Sequence, residues 1–409
     1  MPANRRSFLA SAASAAAAGM PAPTRPEPDW AKVREEFPWT SKQLFLNPAG
    51  WHPMRKKAVE AMHRYLDFKL LGPTEGRGQF ASGQQEDARR LFAQLINATP
   101  EEIAFVQSTL MGENLVVAGL GIPGGKWNVV TDELHYEGSI YMYRSLEKQG
   151  LDLRIAKLRD GRIDIRDVEK LVDRKTRLVA CSLVSYLNGF RADVKALSDL
   201  AHAHGAYAYA DVIQSAGAVP IDVRALGLDF CACSGYKWLM GDRGLGFLYA
   251  RREVQGSAMR RHQYGDRQFT KFQYHMYPHD PQGPRPASWE QRTGAGAMYE
   301  VGNIANVVAA GHAENLRFIL DLGVDRIQAH AEPLVEKLRR ELPKLGYPPL
   351  TPDGTPSPTS AFVVAKPDVL RAKLSNANID VKVEWNQMRV SVSVYHNQAD
   401  IDRFLNAVG

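Results

Sequence analysis

Lys237 and Asp211 have the residue types and the spacing that most clearly predict chemistry in this chain. Asp211 follows the apolar run 206–210, and Lys237 comes just after the next such run, 230–234, 26 positions beyond the acid. A lysine amine can bond covalently to an aldehyde, and a carboxylate can keep a pyridine nitrogen protonated so that the ring accepts carbanion electrons. Pyridoxal 5'-phosphate (PLP) needs this pair of residues, and the sequence therefore predicts an enzyme.

A phosphate site is predicted where a strand-like run leads into a helical pattern. The run Ile103–Val106 is followed by Ser108 and Thr109, which open the helical pattern. Backbone N–H groups and hydroxyls at a helix N-terminus bind phosphate groups. The alternative for these two residues is an ordinary helix N-cap.

The lysine segment resembles that of the class V aminotransferases, a family of fold-type-I PLP enzymes. The resemblance rests on three segments: Ser-Gly-Tyr-Lys-Trp-Leu at 234–239, Gly-Asp-Arg-Gly-Leu-Gly at 241–246 and Asp-Val-Ile-Gln-Ser-Ala-Gly at 211–217. It extends from about residue 45 to the C-terminus and is strongest for the isopenicillin N epimerase-like and cysteine desulfurase-like branch. It implies an α/β fold with a large doubly wound, mostly parallel sheet domain and a small α+β C-terminal domain.

The resemblance also implies roles around the ring of the cofactor. Lys237 would carry the cofactor, Asp211 would pair with the ring nitrogen, and Gln214 would lie near the ring hydroxyl. His135 would stack on the ring and could shuttle protons, with the adjacent Tyr136 as an alternative. An exposed glutamine at a helix start and a plain loop histidine are the structural alternatives.

Five residues match the phosphate contacts of the family. They are Ser108, Thr109, Ser234, Tyr236 and Asn303. The resemblance implies that Asn303 reaches the phosphate from a second subunit, although the family usually has threonine there. A homodimer with shared active sites is therefore expected.

Substrate binding is assigned by the same resemblance to residues near both ends of the chain. Arg389 matches the arginine that binds a substrate α-carboxylate, and a guanidinium can bind a carboxylate through two parallel hydrogen bonds. Asn47, Trp51 and His52 match the segment that lines the substrate mouth, although they could simply form a turn. An edge-strand arginine facing water is the alternative for Arg389.

The expected activity is that of a class V aminotransferase or epimerase acting at the α-amino carbon of an amino acid or an amino-acid-containing metabolite. The alternatives are a C–S β-lyase, a periplasmic enzyme that tailors peptides or siderophores, and a non-catalytic binding scaffold. Cysteine desulfurases carry a nucleophilic cysteine shortly before the C-terminal arginine, but the corresponding segment 383–387 has none. A persulfide route is therefore disfavoured, and Cys181, Cys231 and Cys233 are predicted to be core residues.

Strand-like and helical runs alternate along the chain, which predicts the parallel sheet. Strands are predicted at 103–106, 128–131, 178–184, 206–210, 230–234 and 246–250, with helices at 165–172 and 194–204 between them. A long helix over 303–322 leads to the elements of the small domain, and 257–300 is predicted to be a loop. The expected organisation is a signal and linker over 1–26, a large PLP-binding domain over 27–300 and a small domain over 301–409.

The N-terminus predicts export by the twin-arginine (Tat) route to the periplasm or beyond. Arg5 and Arg6 precede a weakly apolar stretch rich in alanine and serine, and a chance Ala-rich tail is the alternative. The net charge of +6 falls to +3 without residues 1–26, which gives no reason to expect binding to nucleic acid or to a membrane. His275 and His279 are predicted to be solvated loop histidines, and no metal is expected.

Overall fold

Helices and strands alternate along the chain, as the apolar runs predict. The structure is a computed structural model that describes residues 26–72, 83–273 and 287–409. The predicted export signal, apart from residue 26, and His275 and His279 lie outside these residues. The helices are α1 (Trp30–Glu35), α2 (Lys56–Leu71), α3 (Gln84–Leu95), α4 (Thr109–Gly119), α5 (Glu137–Glu147), α6 (Ile165–Glu169), α7 (Val194–Ala203), α8 (Ala295–Tyr299), α9 (Asn306–Leu322), α10 (Val324–Glu341), α11 (Pro367–Asn376) and α12 (Gln398–Val408).

The large sheet contains seven strands in the described part of the chain. They are β2 (Ile103–Val106), β3 (Asn128–Asp132), β4 (Asp152–Ala156), β5 (Thr176–Ser182), β6 (Tyr207–Asp211), β7 (Phe230–Ser234) and β8 (Gly246–Ala250). Their spatial order is β2-β8-β7-β6-β5-β3-β4. The pairs from β7 to β4 are parallel and β8 pairs antiparallel with both neighbours, which confirms the predicted mostly parallel sheet.

Both faces of this sheet are covered, and this explains why its inner strands are continuous apolar runs. Successive residues pack on opposite faces, as the period-two geometry of a strand requires. Val130 and Phe247 pack in one apolar cluster, whereas their neighbours Val129 and Leu248 pack in the other. Helices α3, α7 and α9 cover the first face, and α4 and α5 cover the second.

The carboxyl edge of the sheet gathers the polar residues that the sequence singles out. Asp211 ends β6 and Ser234 ends β7, while His135 and Lys237 lie in the connections after β3 and β7. Ligands of open α/β sheets bind at this edge. The topology therefore brings together residues that are about 100 positions apart in the chain.

A second, smaller sheet positions Arg389. It is antiparallel, with β14 (Gln387–Ser391) between β11 (Thr359–Val363) and β13 (Lys382–Glu384). Arg389 pairs with Ala361 on one side and Lys382 on the other. The arm strand β1 (Leu44–Phe45) pairs in parallel with β12 (Ile379–Asp380), so the N-terminal arm is attached to this part of the molecule.

Three expectations about elements need correction. The predicted loop over 257–300 contains the antiparallel strands β9 (Phe269–Gln273) and β10 (Ser288–Gln291) as well as α8. Strand β4, at the edge of the large sheet, does not appear among the predicted strands because its residues are largely half-buried and lack an apolar run. The sequence pattern predicts a single strand over 379–385, but this run forms the separate strands β12 and β13, which pair with different partners.

The division of the chain at residue 300 stays a prediction. Helix α9 begins soon after that position, yet it packs against α2 and α3 of the large part of the molecule. Among the described residues, none of the helices combines the length and hydropathy that a membrane span requires.

Candidate active site

Lys237 is buried at the carboxyl edge of the large sheet, with 9% of its surface exposed. No hydrogen bond or ion pair of its Nζ is found within the described part of the chain. Burial, assisted by the positive charge of Arg389, lowers the pKa of Lys237 to about 8, although Asp211 opposes this shift. The amine is therefore reactive close to neutral pH, and within the described residues it has a ring contact, 5.7 Å from the centroid of Tyr236, but no hydrogen bond to give up.

A tight turn holds Lys237 in place. The N–H of Gly241 donates to the carbonyl of Gly235 at 2.9 Å, and that of Met240 donates to the carbonyl of Lys237 at 2.7 Å. A Cβ atom at either Gly235 or Gly241 would overlap the ring of the buried His312. Glycine is required at both positions because α9 approaches the turn so closely.

Asp211 is the acid that faces this lysine across the edge of the sheet. Its Oδ1 accepts a hydrogen bond from the backbone N–H of Ile213 at 2.9 Å. Burial raises the pKa of Asp211 to about 6, although the charges of His135 and Lys237 lower it in part. Across residues 26–72, 83–273 and 287–409, no cation forms an ion pair with this carboxylate, so it is available to a positively charged ligand atom.

His135 is held by both of its ring nitrogens. Its Nδ1 is hydrogen-bonded to Ser182 Oγ at 2.9 Å, and its Nε2 to Glu113 Oε1 at 3.0 Å. Burial alone would lower the pKa of His135, but the charge and hydrogen bond of Glu113 raise it above its ordinary value. Because both nitrogens are engaged, the contacts favour a fixed ring over the predicted proton shuttle.

The residues predicted at the phosphate tie α4 to the end of β7. The N–H of Thr109 donates to Ser234 Oγ, and the N–H of Ser234 donates to Thr109 Oγ1, both at 2.8 Å. Ser108 is the N-cap of α4 and accepts from the N–H of Met111 at 3.2 Å. The N-cap role is therefore real, and the helix N-terminus that it stabilises lies where an anion would be bound.

Tyr236 and Gln214 also lie at this edge, next to the N-terminal arm. Tyr236 is half-buried, and the guanidinium of Arg243 lies 5.4 Å from its ring centroid. The amide of Gln214 donates to the carbonyl of Ala49 and accepts from Trp238 Nε1, both at 3.0 Å. Gln214 is therefore a buried connection to the arm rather than an exposed helix-start residue, and its contact with the cofactor stays a prediction.

Arg389 is buried beside a cavity of about 280 Å³. Its Nη1 donates to the carbonyl of Tyr186 at 2.6 Å, and its buried Nε has no partner in the described residues. Burial lowers the pKa of Arg389 to about 10, partly offset by Glu384, so the guanidinium is charged at neutral pH. A buried charged group with a free N–H is suited to a carboxylate, which agrees with the predicted role and not with an arginine facing water.

The three arm residues predicted at the substrate mouth differ in exposure and in their hydrogen bonds. Asn47 donates to Asp380 Oδ1 at 3.3 Å, and its own Oδ1 is buried without a partner. Trp51 is exposed and packs against the rings of Trp39 and Phe45, with both centroids 4.9 Å away. His52 is bonded at both ring nitrogens, to the carbonyl of Pro53 and to Ser393 Oγ. A part in substrate binding stays a prediction for all three, and the contacts of His52 hold the arm.

Asn303 is the predicted site residue that the resemblance assigns to the phosphate of a second subunit. It lies on the exposed segment before α9, and no hydrogen bond joins it to the site residues in the described chain. An exposed position is compatible with a contact to a second subunit, and that contact stays a prediction.

The three cysteines of the chain are all buried in the large sheet. Cys181 lies on β5, and Cys231 and Cys233 lie on β7, in the same apolar cluster, as predicted for core residues. Burial raises the pKa of each thiol. Because the thiolate is the nucleophilic form, none of them is suited to attack a substrate.

Glu113 is the residue of this site that the sequence prediction missed. It lies in α4 in an otherwise apolar stretch, and it is completely buried. An acid at a position facing the core requires partners, and this signal could have revealed it. No group of three or more His, Cys, Asp or Glu residues suited to a metal ion occurs in the part of the chain that the structure describes.

Comparison with known proteins agrees with this geometry. The family model "Aminotransferase class-V" matches residues 55–404. The chain belongs to the class V aminotransferase family. A relative named "Probable cysteine desulfurase", from Methanothermobacter thermautotrophicus, is 34% identical over 230 residues, which are 55% of this chain and 57% of the relative. The match to this relative therefore spans little more than half of its length.

Solved structures of class V proteins have the same fold. The cysteine desulfurase of Thermococcus onnurineus NA1 superposes with a TM-score of 0.80 at 25% identity, covering 92% of this chain and 96% of that one. The cystine C–S lyase C-DES, in complex with its reaction product cysteine persulfide, superposes with a TM-score of 0.79 at 19% identity, covering 91% and 98%. A mutant of C-DES has glycine covalently linked to its PLP cofactor.

The cofactor of this class V protein is PLP, and the site residues fit it. Within the described residues Lys237 has no hydrogen bond or ion pair and Asp211 has no paired cation, and the N-terminus of α4 faces the same edge. These groups would hold the aldehyde carbon, the ring nitrogen and the phosphate. When bound, PLP supplies an electron-accepting ring that stabilises negative charge at the substrate α-carbon.

Proposed function

We propose that this class V enzyme cleaves the C–S bond of a sulfur-containing α-amino acid by β-elimination. The observation that carries the proposal is the burial of all three cysteines, because a C–S cleavage here has no enzyme thiol to receive the sulfur. The name of the desulfurase relative and the C–S lyase activity named for C-DES support sulfur amino acids as substrates. Elimination needs a leaving group on the β-carbon but no protein nucleophile.

The residues of the chain divide the work in a simple way. Arg389 binds the substrate carboxylate through its free Nε, and the cavity beside it receives the rest of the substrate. Lys237 removes the α-proton, since it is the buried amine whose lowered pKa suits a base near neutral pH. The electron pair of the C–H bond then forms a double bond to the β-carbon while the C–S electron pair leaves with the sulfur, which takes up a proton and departs as a thiol or persulfide. Water hydrolyses the remaining enamine, through its imine tautomer, to pyruvate and ammonia.

Transamination of a larger amino-acid derivative is the second candidate, and two observations favour it. Amino transfer needs one base that moves a proton on a single face, and Lys237 can do this while His135 is held at both nitrogens. A further cavity of about 620 Å³ borders Leu187 and Gln387, which also line the cavity beside Arg389. A peptide-like substrate would extend in that direction. Epimerisation with two opposed bases is less well supported, because His135, the residue predicted to shuttle protons beside Lys237, is held at both ring nitrogens.

Product analysis distinguishes these reactions. The PLP-loaded enzyme is incubated with L-cystine, L-cysteine or an S-substituted cysteine, with and without an α-keto acid. Under the proposal, pyruvate and ammonia form in equal amounts without a keto acid, and Lys237→Ala forms neither. Alanine in place of pyruvate would indicate desulfuration, and a product that appears only with a keto acid would indicate transamination; either result would overturn the elimination.

Export and assembly are proposed from the sequence alone. Residues 1–26 are proposed to direct the folded protein through the Tat route, and replacing Arg5 and Arg6 by lysine is expected to retain it in the cytoplasm. A homodimer is proposed because Asn303 matches a class V residue that contacts the phosphate from a second subunit. Sedimentation of the purified enzyme tests the dimer, and a monomer with full activity would contradict it.

A further inference from the structure

Glu113 is a buried carboxylate to which the proposed reaction gives no role. It lies in α4, and neighbouring residues of that helix, Leu115 and Val116, belong to the apolar core. A buried charge is costly unless it is paired and hydrogen-bonded. The fold must therefore compensate Glu113, and the nature of its partners indicates what it does.

Three donors surround the carboxylate of Glu113. Ser139 and Tyr143 of α5 donate their hydroxyls to it at 2.5 and 2.7 Å, and His135 Nε2 lies at 3.0 Å. All of these side chains are buried. Burial opposes the charge of Glu113, but His135 and the two hydroxyls outweigh it and lower the pKa of Glu113.

The opposite nitrogen of His135 faces the end of β5. Its Nδ1 is hydrogen-bonded to Ser182 Oγ, so the ring is fixed between α4 on one side and β5 on the other. A ring that donates from both nitrogens carries a positive charge and has no lone pair for a substrate proton. This charge lies close enough to Asp211 to lower the pKa of that acid.

We propose that Glu113 is a positioning residue that keeps His135 doubly protonated and immobile at the cofactor site. His135 then acts as a fixed positive charge that keeps Asp211 ionised, and it transfers no proton. The inference rests on the proposed function only in that Asp211 serves the cofactor. The arrangement of Glu113, His135 and Ser182 is present in the protein itself.

Other titratable groups face this pair from the surrounding elements. They are Asp132 of β3, Tyr143 of α5, Cys181 of β5, and Tyr209 and Asp211 of β6. The two acids also favour the charged imidazole. Removal of Glu113 alone is therefore expected to lower the pKa of His135 in part and not to its value in an apolar site.

The first test needs neither cofactor nor substrate. The full chain without PLP is labelled with ¹⁵N at histidine, and His135 is followed by NMR as the pH is raised, with its signal assigned by loss in His135→Gln. The Glu113→Gln variant is expected to lower the pKa of His135 by at least about one unit, the size typical of losing a neighbouring charge. Glu102→Gln is the matched control, because Glu102 is also a buried, paired carboxylate but bonds Arg224.

The second test uses the PLP-loaded enzyme. Loss of the charge on Glu113 by itself lowers the pKa of Asp211, but loss of positive charge on His135 raises it and is the larger effect. The acid limb of the kcat–pH profile and the pH dependence of the cofactor absorbance are therefore expected to move to higher pH in Glu113→Gln. Glu102→Gln is expected to leave both unchanged. A general loss of stability would lower the activity of both variants without moving either profile.

The outcomes separate this inference from the proposed function. An unchanged pKa of His135 in Glu113→Gln, or a neutral His135 at pH 7 in the unaltered protein, overturns the inference. If Glu113→Gln does not fold, Glu113→Asp keeps the charge, and its His135 must still be doubly protonated at pH 7. The NMR result does not depend on which product forms, and a failed pyruvate assay leaves it standing.

Discussion

Two buried histidines, one at the cofactor edge and one at the arm, differ in charge because of their partners: burial leaves His52 neutral, whereas a neighbouring carboxylate favours the charged form of His135. His135 is 1% exposed and faces the carboxylate of Glu113, which raises its pKa. His52 is 2% exposed and faces a carbonyl and a hydroxyl, and burial lowers its pKa to about 3. Depth of burial is nearly equal, so the presence of a carboxylate decides which imidazole is charged.

The two histidines belong to regions with different roles: the cofactor edge is suited to bind a ligand, and the arm junction attaches the N-terminal arm. Charged groups that are available to a ligand lie at the carboxyl edge of the large sheet, as Lys237 and Asp211 do, and on strand β14 of the small sheet, where the Nε of Arg389 has no hydrogen-bond partner among the described residues. At the arm junction the polar groups are neutral and mutually bonded, as with His52 and Ser393 at 2.7 Å. The first region is arranged to receive a ligand, and the second to hold the arm against the rest of the protein.

The largest effect is expected from Lys237→Ala. Loss of the base and cofactor anchor should lower kcat by at least about 10³-fold, within the range of acid–base catalysis. The apo protein should lose little stability, because the Nζ of Lys237 has no hydrogen bond or ion pair in the described chain and lies 5.7 Å from the ring centroid of Tyr236. Turnover and the apo melting temperature are measured beside Lys195→Ala, an exposed lysine of α7. A substantial drop in apo melting temperature for Lys237→Ala would contradict the separation of the two regions.

Arg389→Ala is expected to have the next largest effect. Hydrogen bonds to a charged group contribute about 1.5–3 kcal/mol, which predicts a fall in kcat/KM of about 10- to 100-fold, expressed mainly in KM. Arg389→Lys keeps the charge but loses the fork of donors and should recover only part of this loss. Steady-state kinetics with L-cystine measure both. Equal KM values for the unaltered enzyme, Arg389→Ala and Arg389→Lys would show that Arg389 does not bind the substrate.

The arm junction should produce a dependence of stability on acid pH. His52 and His396 have folded-state pKa values of about 3 and 4, lowered by burial, so the unfolded chain binds more protons between those values and its own pKa near 6.5. Stability is therefore lost as the pH falls below about 6.5, by up to about 1.4 kcal/mol per pH unit for each histidine. The free energy of unfolding, measured with urea at several pH values, should depend less steeply on pH in His52→Gln than in the unaltered protein.

The opposite sign applies to the cofactor edge. The raised pKa of His135 adds stability that is complete below the unfolded pKa and is lost as the pH rises through the folded value. The free energy of unfolding of His135→Gln should therefore be lower than that of the unaltered protein at low pH, and the two should converge at high pH. If the free energy of unfolding depended on pH in the same way in His52→Gln and His135→Gln, the two histidines would not differ in charge as described.

The parts of this fold that repeat a strong pattern were predictable from the sequence. The inner strands are apolar because both faces are covered, and Asp211 and Lys237 follow two of them, so the edge of the sheet could be inferred with its chemistry. Strand β4 and the hairpin of β9 and β10 were missed because edge and exposed strands lack that apolar signal.

The missing parts of the site depend on contacts between distant segments. Glu113 was missed because its meaning comes from His135 and Tyr143, which lie 22 and 30 positions further along the chain. His52 is predicted at the substrate mouth or in a plain turn, and neither interpretation includes its anchoring contact with Ser393, which lies 341 positions away. Such pairings are set by tertiary packing, and a single sequence does not encode them in any local pattern.

The smallest effect on turnover is expected from replacing the cysteines. This replacement is the most direct test of C–S cleavage without an enzyme thiol. Cys181, Cys231 and Cys233 are replaced by alanine together, and pyruvate release from L-cystine is compared with that of the unaltered enzyme, both loaded with PLP. Because the C–S bond is broken by elimination, the variant should keep its pyruvate yield per mole of cystine and most of its kcat, at some cost in stability. Loss of turnover in a folded, PLP-loaded variant, or alanine as the product of the unaltered enzyme, would contradict the account.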